Sequence, residues 1–325
     1  MGIRDRVKGR VVGRERELDL VLAAVAAGRD ILLEGPPGTS KTTILKAITA
    51  EWGIPLVFVE GNADLTPAKL IGHHNPARVL REDYSAENFT DGPLLEAMKS
   101  GGFLYIEELN RAPDDTVNTL LTAMAERRIT VPRAGTAVAK GTFRVIASMN
   151  PYDNIGTTRL STSVHDRLCR LAITYQDEQA ERGIVALRAP LTQFPHPGLP
   201  AQLYDRLTAD AVALTRATRG HEDIRQGSSV RGAIDLTLVT GQLLLLGGAA
   251  GGSGPGRPEV LPRESGVSPR ASTAASYQDV VYDAMTVALS GRIFLDETVG
   301  ATPEQVLRAI WEDYYILGPA AAEPG

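Results

Sequence analysis

Residues 31–42 of the chain read Ile-Leu-Leu-Glu-Gly-Pro-Pro-Gly-Thr-Ser-Lys-Thr. The apolar start predicts a buried strand, the glycine-rich turn predicts a phosphate-binding loop, and a helical pattern runs from Lys41 to about Trp52. Backbone N–H groups of such a loop and the positive end of its helix cradle phosphate oxygens. The Lys41 ammonium would reach the outer phosphates, and the Thr42 hydroxyl would coordinate magnesium. The sequence therefore predicts a site for a nucleoside triphosphate.

One position departs from the common form of this loop. Ser40 stands where the pattern G-x-x-x-x-G-K-[ST] has its last glycine. Because glycine is favoured where the backbone is tight, the serine either tolerates that geometry or slows turnover by crowding the phosphates. The predicted phosphate-binding residues are Gly35, Pro36, Pro37, Gly38, Thr39, Ser40, Lys41, Thr42 and Thr43.

The composition limits the kind of protein. With 325 residues the chain is long enough for about two domains. The formal net charge is −5 and basic residues are spread along the chain, which argues against nucleic acid as the main partner. Cys169 is the only cysteine, which excludes an intramolecular disulfide, and we expect an inert, partly buried thiol. Since no run of about 18 uncharged apolar residues occurs, we expect a cytoplasmic protein without membrane insertion.

Short β-rich segments alternate with helical patterns in the first half of the chain. They occur at residues 31–34, 56–60, 103–106, 143–148 and 171–174. Alternation of this kind predicts an α/β domain, with a parallel sheet covered by helices, over residues 1–177.

Helical patterns dominate after about residue 175. They lie near residues 178–189, 201–218, 229–246, 276–290 and 302–316. Thr302 and Gln305 predict a capping box at the start of the last helix. Residues 178–325 are therefore predicted to form a helical domain. Its Gly, Pro and Ser-rich stretch at about 247–275 is expected to be a mobile loop.

Two carboxylates, Glu107 and Glu108, follow an apolar run at the carboxyl end of a predicted strand. In a nucleotide hydrolase the first acid would hold magnesium through its water shell, and the second would orient the attacking water. Asn150 follows the next strand, and its amide could hydrogen-bond the γ-phosphate or the water. Arg167 precedes the fifth strand and could project into a neighbouring subunit's nucleotide, with Arg170 as the rival for that role.

Together these motifs resemble the AAA+ ATPases and, within them, the MoxR family of the clade with an insert in the second helix. The resemblance spans about residues 11–245. It rests on Gly-Pro-Pro-Gly-Thr-Ser-Lys-Thr at 35–42, Glu-Glu-Leu-Asn-Arg-Ala-Pro at 107–113, Leu-Leu-Thr-Ala-Met-Ala-Glu at 120–126, Ser-Met-Asn-Pro at 148–151 and Asp-Arg at 166–167. It implies an AAA+ P-loop NTPase fold, a five-stranded parallel sheet with helices on both faces, plus an α-helical lid domain.

The resemblance also implies roles for individual residues. Lys41 and Thr42 belong to Walker A, and Glu107 and Glu108 belong to Walker B. Asn150 corresponds to sensor 1, Arg167 to the arginine finger and Arg231 to sensor 2. Val12 and Gly13 match the segment that lines the adenine pocket. Arg270 lies in a stretch spelled like the sensor 2 motif, but Arg231 is preferred because a helical pattern follows it. Residues at about 66–91 correspond to the helix-2 insert, and residues at about 129–143 to the hairpin before sensor 1.

Two departures from the family pattern concern the chemistry. Walker B usually begins with Asp, whereas Glu107 is one methylene longer, and Ser40 replaces a glycine. Together they predict slow hydrolysis rather than none. His73 and His74 have no third ligand near them in sequence, so a metal site is not expected there.

The function implied by the resemblance is ATP hydrolysis in a ring, expected to be a hexamer, with ATP and Mg²⁺ bound between subunits. The cycle would drive chaperone-like remodelling or maturation of a partner protein, and a von Willebrand factor A domain protein is a candidate partner. Two alternatives stay open at this point. One is a nucleotide-gated assembly scaffold with little hydrolysis, and the other is a nucleic-acid-associated remodeller, against which the charge balance argues.

Overall fold

A computed structural model of the chain describes residues 6–7, 11–77, 86–151, 160–194, 198–249 and 276–317. The chain divides into two compact units, Met1–Gln176 and Asp177–Gly325. The predicted mobile loop lies outside the described residues from position 250 onward, and so does the alternative sensor 2 residue Arg270.

The first unit alternates strands and helices. Its elements are α1 (Glu15–Ala26), β1 (Ile31–Glu34), α2 (Lys41–Trp52), β2 (Leu56–Glu60), α3 (Pro67–Ile71), β3 (Gly72–His74), β4 (Phe89–Asp91), α4 (Pro93–Ser100), β5 (Phe103–Glu107), α5 (Asp114–Glu126), β6 (Arg128–Val131), β7 (Gly135–Val138), β8 (Arg144–Met149), α6 (Thr162–Arg167) and β9 (Cys169–Ala172). Short 3₁₀ turns occupy Ala86–Asn88 and Leu109–Arg111. Four of the five predicted strands agree with the structure within one residue at each end, and the helix after the phosphate loop is confirmed.

Five parallel strands form the central sheet in the order β2-β5-β8-β1-β9. Ile31 of β1 pairs with Ile146 of β8, and Ile106 of β5 pairs with Ala147 of β8. Because β5, β8 and β1 are neighbours and run parallel, the residues that follow their carboxyl ends lie along one edge of the sheet. The predicted five-stranded α/β fold is confirmed.

The fifth strand begins two residues earlier than the sequence pattern indicates. The Cys169 amide donates to the Asp30 carbonyl at 2.9 Å, so pairing with β1 starts there rather than at Leu171. Cys169 is exposed, and the expectation of a partly buried thiol is therefore wrong. The apolar pattern misplaced this strand because β9 lies at the edge of the sheet, where only one side of the ladder is paired.

Alternate residues of the strands enter two apolar cores. Leu32, Leu104 and Val145 belong to one cluster, whereas Ile31 and Phe103 belong to the other, and all five are at most 1% exposed. Since successive side chains of a strand point to opposite faces, the two clusters lie on the two sides of the sheet. Helices packed on both faces therefore hold the strand register that positions the sheet edge.

A buried carboxylate stands at the amino end of β1. Asp30 accepts a hydrogen bond from the Val145 amide at 2.7 Å and forms an ion pair with Arg127 at 2.8 Å. Burial raises the pKa of Asp30, and the amide and the two arginines Arg127 and Arg144 oppose that rise. Arg127 ends α5 in the left-handed conformation, with φ 53°, and its carbonyl accepts from Ala139 after the β6–β7 hairpin. The Asp30–Arg127 ion pair therefore connects the base of the β6–β7 hairpin to the amino end of β1.

The second unit is mainly helical. Its elements are α7 (Glu178–Arg188), a 3₁₀ turn (Leu191–Gln193), α8 (Ala201–Ala217), β10 (Ile224–Gln226), α9 (Val230–Ala249), α10 (Tyr277–Leu289), a second 3₁₀ turn (Ser290–Arg292), β11 (Phe294–Leu295), α11 (Pro303–Glu312) and a π-helical turn (Asp313–Leu317). The predicted helices are confirmed within about three residues at each end, except that the last one ends as an α-helix at Glu312. The predicted capping box of Thr302 and Gln305 is present.

One helix of the described chain, α9, is long and apolar enough at Val230–Gly247 to cross a membrane by length and composition alone. Core helices of soluble proteins pass the same test. This helix packs against α7, α8 and α10 and contributes Leu236 and Ala233 to two different apolar clusters. Within the described residues, 39% of this window is buried by that packing.

Three tyrosine hydroxyls converge on one carboxylate in this unit. Asp210 is 8% exposed and accepts hydrogen bonds from Tyr277 at 2.9 Å, Tyr314 at 3.0 Å and Tyr315 at 2.8 Å. Arg206 lies 3.6 Å from the same carboxylate and stacks over the Tyr277 ring. This Asp210 clasp fixes the start of α10 and the final π-helical turn to α8.

We predict that Asp210→Ala lowers the free energy of unfolding by about 3 kcal/mol, because three partly buried hydroxyls lose their acceptor. Urea unfolding of the full chain measures this change. Asp205→Ala, an exposed acid on the same helix, is the matched control and should cost less than about 0.5 kcal/mol. Equal stability of the two variants would contradict the clasp.

The clasp also predicts a loss of stability at alkaline pH. Burial is the main cause that raises the pKa of Tyr314 to about 12, and the charge of Asp210 adds to it. The pKa values of Tyr277 and Tyr315 are raised as well, mainly by burial. Unfolded tyrosine titrates near pH ~10, so the stabilisation is complete below that pH and disappears as the pH rises toward about 12. Tm measured against pH should fall in this window, and fall less steeply in Tyr314→Phe.

Candidate functional site

The predicted phosphate loop connects the end of β1 to the start of α2. Gly38 and Ser40 both have positive φ, 75° and 67°. A Cβ on Gly35 would lie 2.0 Å from the Ile173 carbonyl oxygen, so only glycine fits there. Ser40 thus takes the left-handed geometry of the glycine that it replaces, at a cost of about 1 kcal/mol for a residue with a Cβ.

The Lys41 side chain lies inside this loop. Its ammonium donates to the carbonyl oxygens of Gly35 at 2.7 Å and Pro36 at 2.8 Å, and Thr39 also donates to Pro36 at 2.8 Å. Pro37 lies exposed in the same loop, and Lys41 itself is 9% exposed. A buried cation within a glycine-rich loop at the N-terminus of a helix forms a site that fits phosphate oxygens.

Thr42 and Thr43 follow in the first turn of α2, and Thr42 reaches the acid motif of β5. Its hydroxyl donates to the Glu107 carboxylate at 3.1 Å. A hydroxyl and a carboxylate are the hard oxygen donors that Mg²⁺ prefers, and this ion usually takes few protein ligands besides substrate phosphate and water. No group of three His, Cys, Asp or Glu side chains suited to a metal occurs among the described residues. The donors present therefore fit Mg²⁺ held together with a nucleotide.

Tyr105 joins these groups, and the sequence interpretation missed it. Its hydroxyl lies 3.2 Å from the Thr42 hydroxyl and 3.1 Å from that of Ser148, and it donates to Glu107 at 3.4 Å. Burial raises the pKa of Tyr105 to about 12, so the hydroxyl keeps its proton at neutral pH. One signal was available, since Tyr105 lies two residues before Glu107 in a strand and must share its face.

Glu108 begins the turn after β5 in the left-handed conformation, with φ 55°. Its carboxylate forms an ion pair with Arg111 at 2.9 Å, and both side chains are more than one third exposed. Gly61, after β2, makes room for this turn, since a Cβ there would lie 2.3 Å from the Glu108 carbonyl oxygen. The second acid is therefore held at the surface of the sheet edge with a cation beside it.

Asn150 directly follows β8, the strand between β5 and β1. Its neighbour Met149 accepts a hydrogen bond from the Gly35 amide at 3.1 Å, so Asn150 lies beside the start of the phosphate loop. The structure thus brings the loop, Glu107, Glu108 and Asn150 to one edge of the sheet.

The two candidate finger arginines lie elsewhere. Arg167 ends α6, is exposed, and donates to the carbonyl of Ser163 at 3.1 Å. It precedes the amino end of β9, so it lies at the opposite end of the strands from the phosphate loop. Arg170 is engaged within its own chain by an ion pair with Glu34, which raises the pKa of Arg170. The structure does not bring either arginine to the phosphate loop of its own chain.

Arg231 belongs to the second unit. It is exposed in the first turn of α9, and its amide lies 3.4 Å from the Ser229 hydroxyl that accepts from it.

Val12 and Gly13 lie before α1. Gly13 has φ 64°, and the Val12 carbonyl accepts a hydrogen bond from the Gln176 side chain at 3.4 Å. The same amide donates to the Ser40 hydroxyl at 3.1 Å. Gln176 therefore links this segment to the phosphate loop, a contact for which the sequence carries no signal.

Comparisons with known proteins bear on the family and the fold of the chain. A family model described as an AAA domain of the dynein-related subfamily matches residues 30–168. Protein NorQ of Paracoccus denitrificans is 31% identical over 220 residues, which are 66% of this chain and 74% of NorQ. The gas vesicle ATPase GvpN of Ancylobacter aquaticus is 25% identical over 236 residues, 67% of this chain and 62% of GvpN. A solved structure of a RuvB mutant from Thermotoga maritima shares the fold, with a TM-score of 0.50 at 19% identity over 75% of this chain and 67% of that one.

We predict that Tyr105→Phe raises the Mg²⁺ concentration needed for half-maximal ATP binding by about fivefold, because Thr42 and Glu107 lose the hydroxyl that orients them. Fluorescent-nucleotide titrations at fixed ATP and varied Mg²⁺ measure this. Tyr204→Phe is the matched control, since its buried hydroxyl donates to the Ala189 carbonyl at 3.0 Å in the second unit. An equal change in both variants would show a general loss of stability instead.

Proposed function

The chain belongs to the MoxR family of AAA+ ATPases, and on that premise we propose that it couples ATP hydrolysis in a ring to the remodelling or maturation of a partner protein. Family membership makes it a P-loop ATP hydrolase. The observation that supports the proposed chemistry best is the 3.1 Å hydrogen bond between Thr42 and Glu107. It joins the phosphate loop to the acid motif, the two parts that a phosphoryl-transfer site must bring together.

Each group at the sheet edge has a part in the proposed hydrolysis. Lys41 and the loop amides bind the phosphates, while Thr42 and Glu107 hold the metal. Bound Mg²⁺ would neutralise charge on the phosphate oxygens. Glu108 orients the attacking water and accepts its proton, and Asn150 hydrogen-bonds the water or the γ-phosphate. Val12 and Gly13 line the pocket for adenine.

Assembly completes the proposed site. Arg167 lies away from the phosphate loop of its own chain, is exposed, and is thereby suited to reach the nucleotide of a neighbouring subunit. Its guanidinium would spread charge over the transition-state oxygens. We therefore propose a hexameric ring in which hydrolysis requires two adjacent subunits.

Two hairpins outside the central sheet are the proposed client-contacting parts. The β3–β4 hairpin belongs to the segment expected as the helix-2 insert, and the β6–β7 hairpin lies between α5 and β8. Val138 of β7 is 66% exposed, an apolar side chain available to an unfolded or partly folded client.

Arg231 would contact nucleotide phosphate and thereby bias the angle between the two units through the cycle. A von Willebrand factor A domain partner and a cytoplasmic location complete the proposal.

A nucleotide-gated scaffold with little hydrolysis is the second candidate. The Glu108–Arg111 ion pair favours it, because a carboxylate engaged by a cation must leave that contact before it can orient water. The left-handed backbone of Ser40 also favours the scaffold, because a serine that crowds the phosphates would slow hydrolysis. The formal charge of −5 gives no support to a nucleic-acid remodeller.

We predict that Glu108→Gln lowers the steady-state rate of phosphate release by about 100-fold or more while nucleotide affinity stays within about twofold, because the water loses its base. Glu126→Gln, an exposed acid at the end of α5, is the control and should keep the rate. A rate unchanged by Glu108→Gln would favour the scaffold.

A mixing experiment tests the shared site. Arg167→Ala and Glu108→Gln chains should each be inactive, yet regain part of the activity when mixed, because some interfaces then contain one intact Arg167 and one intact Glu108. Arg170→Ala is the control for Arg167→Ala, and rings made only of Arg170→Ala chains should be active. Absence of recovery in mixed rings would contradict hydrolysis between subunits.

A further inference from the structure

Ser40 is a residue with a Cβ held in the left-handed region, φ 67° and ψ 16°, directly before Lys41. Backbone strain of this kind persists only where neighbouring groups enforce it. The Ser40 hydroxyl does not cap α2, although Ser40 occupies the N-cap position. It accepts instead from the Gln176 side-chain amide at 3.1 Å, a contact that glycine cannot make.

Gln176 is well placed to enforce this geometry. It is 5% exposed, and its amide also donates to the Val12 carbonyl at 3.4 Å. The short segment before it is fixed to the end of β1 and to the residue that precedes α1. The Ile173 amide donates to the Glu34 carbonyl at 2.7 Å, and the Arg14 guanidinium donates to the Thr174 carbonyl. A side chain on so constrained a segment loses little freedom when it holds the loop.

We propose that Gln176 is a positioning residue for nucleotide binding, acting through Ser40. By holding the Ser40 hydroxyl it keeps the last peptide of the loop in the orientation that aims the Lys41 and Thr42 amides at phosphate. In this chain the Ser40–Gln176 pair replaces the conformational freedom of a glycine with an enforced geometry. The inference rests on the proposed nucleotide site, but it does not depend on ring assembly or on a client.

The same residue stands at the boundary of the first unit. The next residue, Asp177, caps α7 of the second unit, with its carboxylate accepting from the Ala180 amide at 2.7 Å. Gln176 is thus covalently adjacent to the start of the second unit while its side chain holds the phosphate loop.

A double-mutant cycle of Gln176→Ala and Ser40→Gly tests the proposal in the full chain. ADP affinity by calorimetry, KM and kcat for ATP, and Tm are measured for all four proteins. In the Ser40 background, Gln176→Ala should raise the ADP Kd and the ATP KM about fivefold with kcat within about twofold. In the Ser40→Gly background the same change should alter Kd less than about twofold, because the coupled contact is already gone. Gln193→Ala, an exposed glutamine of the second unit, should change neither.

Equal losses of affinity in both backgrounds would overturn the inference, since Gln176 would then act through Val12 or through general stability. An unchanged Kd in Gln176→Ala would overturn it as well. Because ADP binding needs neither hydrolysis nor assembly, either result would leave the remodelling function standing. A wild-type chain that binds no ADP would overturn both proposals together.

Discussion

Three neighbouring parallel strands end at one edge of the sheet, and the site exists only because β5, β8 and β1 are neighbours in register. Their buried residues fix that register, since a slip of one position would turn every side chain to the other face. With the register set, the groups that follow the strands must meet. The 3.1 Å bond from Thr42 to Glu107 and the bond from Gly35 to Met149 are the local results. The binding chemistry is thus a consequence of apolar packing on the two faces of the sheet.

The sequence predicted this edge well because its information is local. Apolar runs that end in Gly, Glu or Asn-Pro specify where β1, β5 and β8 stop, and the structure agrees within one residue at their carboxyl ends. The sequence pattern does not predict the start of β9. Pairing begins there at Cys169 through a backbone hydrogen bond to Asp30, which involves no side chain. Tyr105 fits the apolar pattern of β5, although its hydroxyl contacts Glu107.

The sequence pattern does not predict contacts between residues that are far apart in the chain. Gln176 and Ser40 are 136 residues apart, and Asp210 lies 67 residues from Tyr277 and 105 from Tyr315. No periodicity relates such positions, because tertiary packing alone brings them together. The role proposed for Arg167 likewise depends on a neighbouring subunit, which no pattern within one chain describes.

Residues other than glycine with positive φ lie in the phosphate loop, in the turn after β5 and at the β6–β7 hairpin. They are, among the described residues, Ser40, Glu108, Arg127 and Arg133. Three of them are held by polar partners, Ser40 by Gln176, Glu108 by Arg111 and Arg127 by Asp30. Strain that is distributed in this way marks positions where geometry, rather than stability, is the requirement.

The ion pair of Arg127 with Asp30 has a mechanical consequence. Asp30 is buried, so withdrawing Arg127 would leave a carboxylate deprived of its hydrogen-bonded cation, at a cost of about 3 kcal/mol or more. Displacing the hairpin base would therefore leave an uncompensated charge beside the amino end of β1, the strand that leads into the phosphate loop.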